Sequence, residues 1–284
     1  MMQKTIFFLL IGVLDFYSGI AQTLYQEEDT SVFNSFLEYT RSGDNDIIRT
    51  AGFFLDIPYV EGTLEGDSVE RLRVNLREMD CFTFMETVIA LQLMLQNKDH
   101  SFTHFCSILQ QVRYRDGIVD GYLSRLHYTS EWLYNNQQKG IVSLPQLSRS
   151  EKFKPELSFM SSHCRLYPAL KAHPEWCAGI RNIEKNVNQY TLYYIPKEQV
   201  RASGEEIQHG DIIAITTHIN GLDVSHVGFA FRKKETIHLL HASSEMKKIL
   251  VSTESLHDYL AKRKNHSGII VARLTASGQN HLAW

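Results

Sequence analysis

The stretch REMDCFTFMETVIALQLML, residues 77–95, predicts a buried helix that begins at an aspartate–cysteine pair. Asp80 is a favoured N-cap residue, and the positions after it are apolar on nearly every side of the helix. Cys81 would be the first helical residue, where free N–H groups and the helix dipole favour a thiolate, although the Asp80 carboxylate opposes this effect. The stretch alone leaves two interpretations of Cys81 open, a nucleophile or an inert buried thiol.

The rest of the chain divides into a helical half and a strand-rich half. Helices are predicted near residues 30–41, 45–55, 101–112 and 129–140, and strands near 190–196, 210–217, 224–231, 236–242 and 268–274. Helices first and strands later favour an α+β fold with an antiparallel sheet. Residues 143–182 contain four prolines and are predicted to be an irregular surface excursion.

The first 21 residues are predicted to be a signal peptide that is removed. Lys4 precedes the apolar run 6–14, and Gly19-x-Ala21 is a small-residue cleavage signal. The run is too short to span a bilayer, and a buried N-terminal helix is the alternative. We therefore expect an exported protein of the periplasm or cell envelope, with no stable membrane insertion. Residues 22–284 show no clear linker and are predicted to form a single domain.

Charge and cysteine usage narrow the interpretation further. The net charge of −3 gives no electrostatic reason to expect nucleic acid as a partner. In an oxidising compartment Cys164 and Cys177 are close enough in sequence to form a disulfide bond. Cys106 lies on an apolar helical pattern that suits a buried structural thiol. Cys81 is left without an obvious partner.

A thiolate nucleophile needs a base, and of the 13 histidines two in strand patterns stand apart, His226 in DVSHVGFAF and His241 in HLLHASS. Strand alternation places His226, Gly228 and Ala230 on one face, with larger side chains on the other. We expect the N-terminus of the Cys81 helix to dock on the small face beside His226. That arrangement is a Cys–His geometry for acyl transfer.

Several motifs taken together are similar to a known class of enzymes. DCFTF, GDIIAI, SHVGFAF and HASS resemble the NlpC-type papain-like cell-wall hydrolases. More closely, the chain resembles the N-acetylmuramoyl-L-alanine amidase-like branch of that class from residue 79 to about residue 244. The motifs that carry this closer resemblance are MDCFTFMETVIAL, YRDGIVDGYLSRLHYTSEWL, SFMSSH, YYIPK and GDIIAITTHINGLDVSHVGFA.

The resemblance implies a papain-like core and a cysteine amidase that cleaves between N-acetylmuramic acid and L-alanine in peptidoglycan or muropeptide fragments. By position, Cys81 would be the nucleophile, His226 the base and then the acid, and His241 the orienting third residue. The general class usually has a serine or another small polar residue after the cysteine, whereas this chain has Phe82. We expect no cofactor, and a monomer.

The stretch DGYLSRLHYTSEW, residues 120–132, is the predicted substrate-recognition segment. Arg125 supplies a forked donor for carboxylate or carbonyl oxygens, and Tyr122, Tyr128 and Trp132 supply faces for a sugar ring. In the alternative interpretation the aromatic residues pack a helix start and Arg125 is a surface charge. The complete set of predicted substrate contacts is Asp80, Tyr122, Ser124, Arg125, His127, Tyr128 and His163.

Two other functions are kept as alternatives, a zinc-dependent cell-wall amidase and an inactive glycan-binding module. The chain has no H-E-x-x-H motif, although His209, His218, His226 and His241 could in principle converge on a metal.

The turn RKKE, residues 232–235, predicts a hairpin that decides between two histidines as the third triad residue. If Phe231 pairs with Thr236, His226 lies directly opposite His241 on the same face. His238 would then pair with Phe229 on the other face. We therefore expect His241, and not His238, to orient the His226 ring.

Overall fold

The computed structural model describes residues 23–66 and 69–275, so the predicted signal peptide lies outside the described residues. The helices are α1 (Glu27–Thr40), α2 (Ile47–Gly52), α3 (Cys81–Leu95), α4 (Phe102–Arg113), α5 (Thr129–Gln138), α6 (Phe159–Ser162), α7 (Pro168–Ala172), α8 (Trp176–Val187) and α9 (Leu256–Ala261). The strands are β1 (Val142–Ser143), β2 (Glu151–Phe153), β3 (Leu192–Pro196), β4 (Ile212–Thr217), β5 (Val224–Lys233), β6 (Thr236–Ser243), β7 (Lys248–Val251) and β8 (His266–Leu274). None of the helices in the described ranges is long and apolar enough to cross a membrane.

The strands form one antiparallel sheet. Its order is β2-β3-β8-β4-β5-β6-β7, and β1 pairs with the last residues of β8. Helices α1 to α5 come before the main strands β3 to β8 in the chain. The predicted α+β class with an antiparallel sheet is therefore confirmed.

The sheet separates two apolar layers. On one face, helices α1 to α5 contribute to a core that includes Val227 and Phe229 of β5. On the other face, α9 and the segment 197–208 cover Ala230 and Leu239. Helix α3 is buried along its length, from Thr83 to Met94, because a helix that is apolar on all sides is stable only inside a core.

Residues 143–182 are not the irregular surface excursion that was predicted. They contain β2, α6, α7 and the first half of α8, and Met160, Leu170 and Ile180 are buried in a common apolar cluster. Pro168 is the first residue of α7, a position that favours proline, so this proline starts a helix rather than marking irregular chain. A disulfide bond joins Cys164 to Cys177.

The hairpin of β5 and β6 differs in register from the prediction. Its turn is Lys234–Glu235, so that Lys233 pairs with Thr236 and Phe231 pairs with His238. Lys234 has φ of 56°, the left-handed conformation that such two-residue turns require. The register is shifted by two residues, and an even shift leaves every side chain on its predicted face.

Candidate active site

Asp80 caps helix α3 and fixes Cys81 at its first position. Asp80 Oδ1 accepts hydrogen bonds from the Phe82 N–H at 3.0 Å and the Thr83 N–H at 2.8 Å. The Thr83 hydroxyl oxygen accepts in return from the Asp80 N–H at 3.0 Å. The cap thus engages the N–H groups that follow Cys81, in the reciprocal pattern of a capping box.

The surroundings of Cys81 raise the pKa of its thiol, against the expectation of a thiolate. Burial and the Asp80 carboxylate raise this pKa to about 12, and the backbone N–H groups of Val227, Cys81 and Phe82 only partly oppose the rise. Burial is the larger cause, because it disfavours a charged thiolate, and the Asp80 carboxylate that caps the helix adds a negative charge beside the sulfur. The Val227 N–H that acts on the thiol belongs to the residue after His226, which places Cys81 at β5.

The predicted docking of helix α3 on the face of β5 with the small residues is wrong. The helix packs on the opposite face, where the Phe84 and Phe229 rings lie 5.8 Å apart. Large side chains bury more apolar area against an all-apolar helix than Gly228 and Ala230 could, which is why that face is favoured. The first residue of the helix nevertheless lies near the histidine pair, since the Cys81 thiol influences the pKa of Tyr259, whose ring contacts both His226 and His241.

The His226 and His241 rings are in direct contact. Nε2 of His226 is 2.6 Å from Nδ1 of His241, and both rings lie against Tyr259 of α9. The two histidines meet diagonally, just beyond the Phe229–Leu240 pair of the β5–β6 ladder, rather than directly opposite each other. His238 faces away, with its Nδ1 2.9 Å from the Ser252 carbonyl oxygen. The prediction that His241 and not His238 reaches His226 is confirmed.

Gly228 makes this contact possible. A Cβ atom at Gly228 would lie 2.8 Å from the Leu240 carbonyl oxygen and 2.9 Å from Cβ of His241. Both distances are shorter than real side chains tolerate. Gly228 was predicted to allow the close approach of a helix. It instead allows the close approach of strand β6 and His241.

Both histidines are held in the neutral form. Burial lowers the pKa of His226 well below its usual value, and His241, His266 and Arg263 lower it further. Burial and Arg263 lower the pKa of His241 to about 4. Arg263 lies over the Tyr259 ring, 3.8 Å from its centroid, which brings its charge close to the pair. At neutral pH each ring therefore carries a single N–H proton and can accept a second one.

A cavity of about 230 Å³, here called the front cavity, lies against the first two turns of α3. Asp80, Phe82 and Thr83 line it beside Cys81, and Glu86 lines it one turn further along the helix. The predicted substrate contacts that also line it are Asp80, Tyr122, Arg125, His127 and Tyr128.

Arg125 is buried within the wall of the front cavity. Its Nη2 is 2.9 Å from Glu65 Oε1 and its Nε is 3.6 Å from Glu70 Oε1, while its guanidinium lies over the Tyr122 ring. The alternative interpretation of Arg125 as a surface charge is therefore wrong. Its Nη2 already pairs with Glu65, whereas its Nε has no hydrogen-bond partner among the described residues, and the role of Arg125 toward a substrate stays a prediction.

His127 and Tyr128 are fixed by internal hydrogen bonds. The Tyr128 hydroxyl donates to Glu184 Oε1 at 2.8 Å, and His127 Nε2 is 2.8 Å from the Tyr122 carbonyl oxygen. Burial lowers the pKa of His127 to about 3, so its ring is neutral. Both side chains are thus held in place before any ligand binds.

Ser124 and His163 are not part of the front-cavity lining. The Ser124 hydroxyl donates to the Gly121 carbonyl oxygen at 2.7 Å and so closes its own turn. His163 is exposed and stacks on Phe159, with 4.5 Å between the ring centroids. Their predicted roles as substrate contacts stay predictions, and the structure assigns both a local structural role.

A second cavity of about 420 Å³, here called the rear cavity, lies behind His241. Its lining includes His241, Glu254, Tyr259, Lys262 and Arg263. Of the two paired histidines, His241 lines the rear cavity and His226 does not.

Two buried carboxylates of the front cavity were missed by the sequence analysis. Glu86 is 1% exposed, and its Oε2 is 2.6 Å from Nε of Arg113. It is the only charged residue in α3, a signal that could have revealed it. Asp223 accepts a hydrogen bond from the Ser130 N–H at 2.6 Å and so holds the start of α5, a contact that no local pattern predicts.

No three His, Cys, Asp or Glu side chains are grouped to hold a metal ion within residues 23–66 and 69–275. The histidines that were considered as possible zinc ligands do not form such a group in this part of the chain. The zinc alternative therefore has no ligand set among the described residues.

The fold and the site define an α+β protein in which a helix-starting cysteine lies at a strand that carries one of two touching histidines. The chain belongs to the N-acetylmuramoyl-L-alanine amidase-like family, whose family model matches residues 49–269. No curated protein matches the chain.

Solved structures are similar over most of the chain. An N-acetylmuramoyl-L-alanine amidase from Bacteroides uniformis is 39% identical, with a TM-score of 0.78, over 81% of this chain and 99% of that one. A protein from Bacteroides fragilis described as a putative xylanase is 41% identical, with a TM-score of 0.74, over 79% of this chain and 99% of that one. A Legionella pneumophila protein at 20% identity and a TM-score of 0.66, over 87% of this chain and 94% of that one, shares the fold.

Proposed function

We propose that this protein is a cysteine amidase that hydrolyses the amide between N-acetylmuramic acid and L-alanine in peptidoglycan or muropeptide fragments. Family membership and the name of the Bacteroides uniformis neighbour support an amidase. The observation that carries the cysteine mechanism is the 2.6 Å contact between His226 and His241 beside a cysteine that begins a helix. In this proposal the core is papain-like and NlpC-type, and the enzyme is exported and acts as a monomer without a cofactor.

The resting site holds a neutral thiol and a neutral base. When His226 Nε2–H donates to His241 Nδ1, the other ring nitrogen of His226 keeps its lone pair for the thiol proton. Since the pKa of the thiol is raised and that of the imidazole is lowered, proton transfer accompanies the attack on the substrate rather than preceding it. His241 accepts the His226 hydrogen bond throughout and stabilises the imidazolium as it forms.

Attack of the Cys81 sulfur on the amide carbonyl carbon gives a tetrahedral oxyanion. Asp80 occupies the Phe82 and Thr83 N–H groups, so the Cys81 N–H is the first-turn donor that remains for this oxygen. His226 then gives its proton to the alanine nitrogen, the C–N bond breaks, and a thioester remains. Water, deprotonated by His226, releases the muramic acid and restores the thiol.

The proposal is tested by replacing Cys81 with alanine and following a muropeptide digest by mass spectrometry. The wild-type protein should release stem peptides that begin with L-alanine, and Cys81→Ala should release none while keeping the wild-type melting temperature. Near-wild-type release by Cys81→Ala would overturn the cysteine mechanism.

The same digest separates the alternatives. New reducing ends in place of free stem peptides would indicate glycoside cleavage, the activity named for the Bacteroides fragilis neighbour. Loss of activity with EDTA but not with iodoacetamide would indicate a zinc amidase. Binding of muropeptides without any cleavage would indicate the inactive module.

A further inference from the structure

A third histidine lies near the histidine pair and was missed by the sequence analysis. His266 begins β8, and β4 lies between β8 and β5 in the sheet. The His266 ring is buried and nearly parallel to the Tyr259 ring, with 5.9 Å between the centroids and 18° between the planes. Because the His226 and His241 rings also contact Tyr259, histidines from three strands meet at one tyrosine of α9.

The hydrogen bond between His226 and His241 does not by itself fix how the two rings are turned. It sets the distance between two nitrogens at 2.6 Å, but each ring can still rotate about the line that joins them. Neither ring makes another hydrogen bond within residues 23–66 and 69–275. The orientation of the pair must therefore come from contacts with ring faces and edges.

Tyr259 supplies these contacts to both rings. Its ring is nearly parallel to that of His226, with 6.2 Å between the centroids and 24° between the planes. It is nearly perpendicular to that of His241, with 5.5 Å between the centroids and 83° between the planes. Aromatic pairs favour offset-parallel and edge-to-face arrangements at such separations. One side chain thus contacts the two histidines in two orientations, and the histidine rings are 87° apart.

The position of Tyr259 is itself fixed by its own helix and by Arg263. The Ser255 hydroxyl caps α9 by accepting a hydrogen bond from the Asp258 N–H at 3.2 Å. The Arg263 guanidinium lies over the Tyr259 ring and donates through Nη1 to the Tyr259 carbonyl oxygen at 3.1 Å. None of the side-chain hydrogen bonds in the described ranges involves the Tyr259 hydroxyl. The ring of Tyr259, and not its hydroxyl, therefore makes the contacts with the histidines.

We propose that Tyr259 is a positioning residue whose ring holds His226 and His241 at the angle at which His226 can take the thiol proton of Cys81, and shields the pair from water. This inference rests on the proposed function and adds a residue outside the triad on which the reaction depends. A reacting group that is misplaced by about 1 Å can lower a rate about 10²-fold. Loss of the ring should therefore impair the chemical step and not substrate binding.

The test compares Tyr259→Leu with Tyr259→Phe. Leucine fills part of the space but has no ring, so Tyr259→Leu should lower kcat on muropeptides about 10- to 100-fold with little change in KM. Phenylalanine keeps the ring and its contact with Arg263. Tyr259→Phe should therefore keep most of the wild-type kcat.

Leu260→Ala is the matched control for a loss of stability alone. Leu260 follows Tyr259 in α9 and is buried in the same apolar cluster, but it does not line the rear cavity as Tyr259 does. Consecutive side chains of a helix point in different directions. Leu260→Ala should lower the melting temperature at least as much as Tyr259→Leu and leave kcat nearly unchanged.

A second measurement needs no activity. NMR titration of the histidine rings in the Cys81→Ala protein reports their pKa values. Burial lowers the pKa of both His226 and His241, so access of water in Tyr259→Leu should raise both values toward the ordinary value of about 6.5. Tyr259→Phe should leave them unchanged. The other charged and titratable groups that act on this cluster are the same in both Tyr259 variants, namely His266 on β8, Glu245 after β6, Glu254 before α9, Lys262 and Arg263 after α9, and Lys197.

Two results would overturn the inference. One is an equal kcat for the Tyr259→Leu and Leu260→Ala proteins. The other is a set of histidine pKa values that Tyr259→Leu leaves unchanged in the Cys81→Ala protein. Failure of the wild-type protein to cleave muropeptides would instead overturn the proposed function, and the titration would still test whether Tyr259 shields the pair. The two failures are thus distinguishable.

Discussion

The front and rear cavities meet the candidate active site from different directions and differ in chemistry. The front cavity has an unsatisfied carboxylate oxygen on Glu86 and an excess of acidic side chains. In the rear cavity the cations Lys262 and Arg263 are tied into ion pairs with Glu245 and Glu254. The front cavity thus offers an acceptor that no described residue satisfies, whereas the charged side chains of the rear cavity are already paired with one another.

The largest effect on turnover is expected at the histidine pair, which tests the role of the rear cavity. His241→Ala removes the acceptor of His226 and should lower turnover about 10²- to 10⁴-fold. His241→Gln, which keeps an acceptor oxygen, should recover part of the loss. His238→Ala is the control, because His238 contacts Ser252 and not His226, and it should leave turnover nearly unchanged. A larger loss in His238→Ala than in His241→Ala would contradict the assignment.

The next effect concerns the wall of the front cavity. Arg125→Ala removes the cation that pairs with the Glu65 and Glu70 carboxylates and should lower the free energy of unfolding by about 3 kcal/mol in urea titration. Activity should fall with stability, since the cavity wall itself is lost. Arg201→Ala removes an exposed ion pair with Asp258 and should cost at most about 1 kcal/mol. Equal costs for the two variants would contradict the buried role of Arg125.

A smaller effect is expected where the strands approach most closely. Gly228→Ala forces β6 and His241 to move, and overpacking of this kind costs about 1–3 kcal/mol. Thermal unfolding and turnover should both show the change. Gly52→Ala is the matched control, because its new methyl group meets nothing within 4 Å, and it should be neutral or stabilising. Wild-type turnover in Gly228→Ala would show that the position of His241 is not critical.

The smallest expected effect is a shift in the pH dependence of kcat/KM, and it tests how the rear cavity acts on the histidine pair. Activity requires neutral His226 and His241, whose pKa values lie below that of an ordinary histidine, so kcat/KM should stay constant as the pH falls through 6.5 and decline only toward pH 4. Arg263→Gln removes a positive charge that lowers both pKa values, so the decline should move to higher pH. Lys262→Gln, in the same cavity, should leave the profile in place. An acid limb near pH 6.5 in the wild-type protein would contradict the neutral pair.

Local pattern was enough to predict the elements that carry the candidate site. Asp80 followed by an apolar run determined where α3 begins and that Cys81 is its first residue. Strand alternation placed His226 and His241 on one face, and this result survived a register error of two residues because side chains alternate with a period of two. Prolines misled the analysis at residues 143–182, since their position within a helix depends on packing that the sequence does not display.

Contacts between residues far apart in the sequence determined how these elements pack and which charge states their side chains have. The face of β5 on which α3 packs depended on which side buried more apolar area, and the pKa of Cys81 depended on how its burial and Asp80 balance against a backbone N–H of β5. Arg125 is buried because Glu65, 60 residues earlier, lies beside it. The sequence by itself determined which residues carry the chemistry and which faces they share. Only the tertiary structure decided their charge states and their neighbours, because burial and electrostatic interactions depend on distance in space and not along the chain.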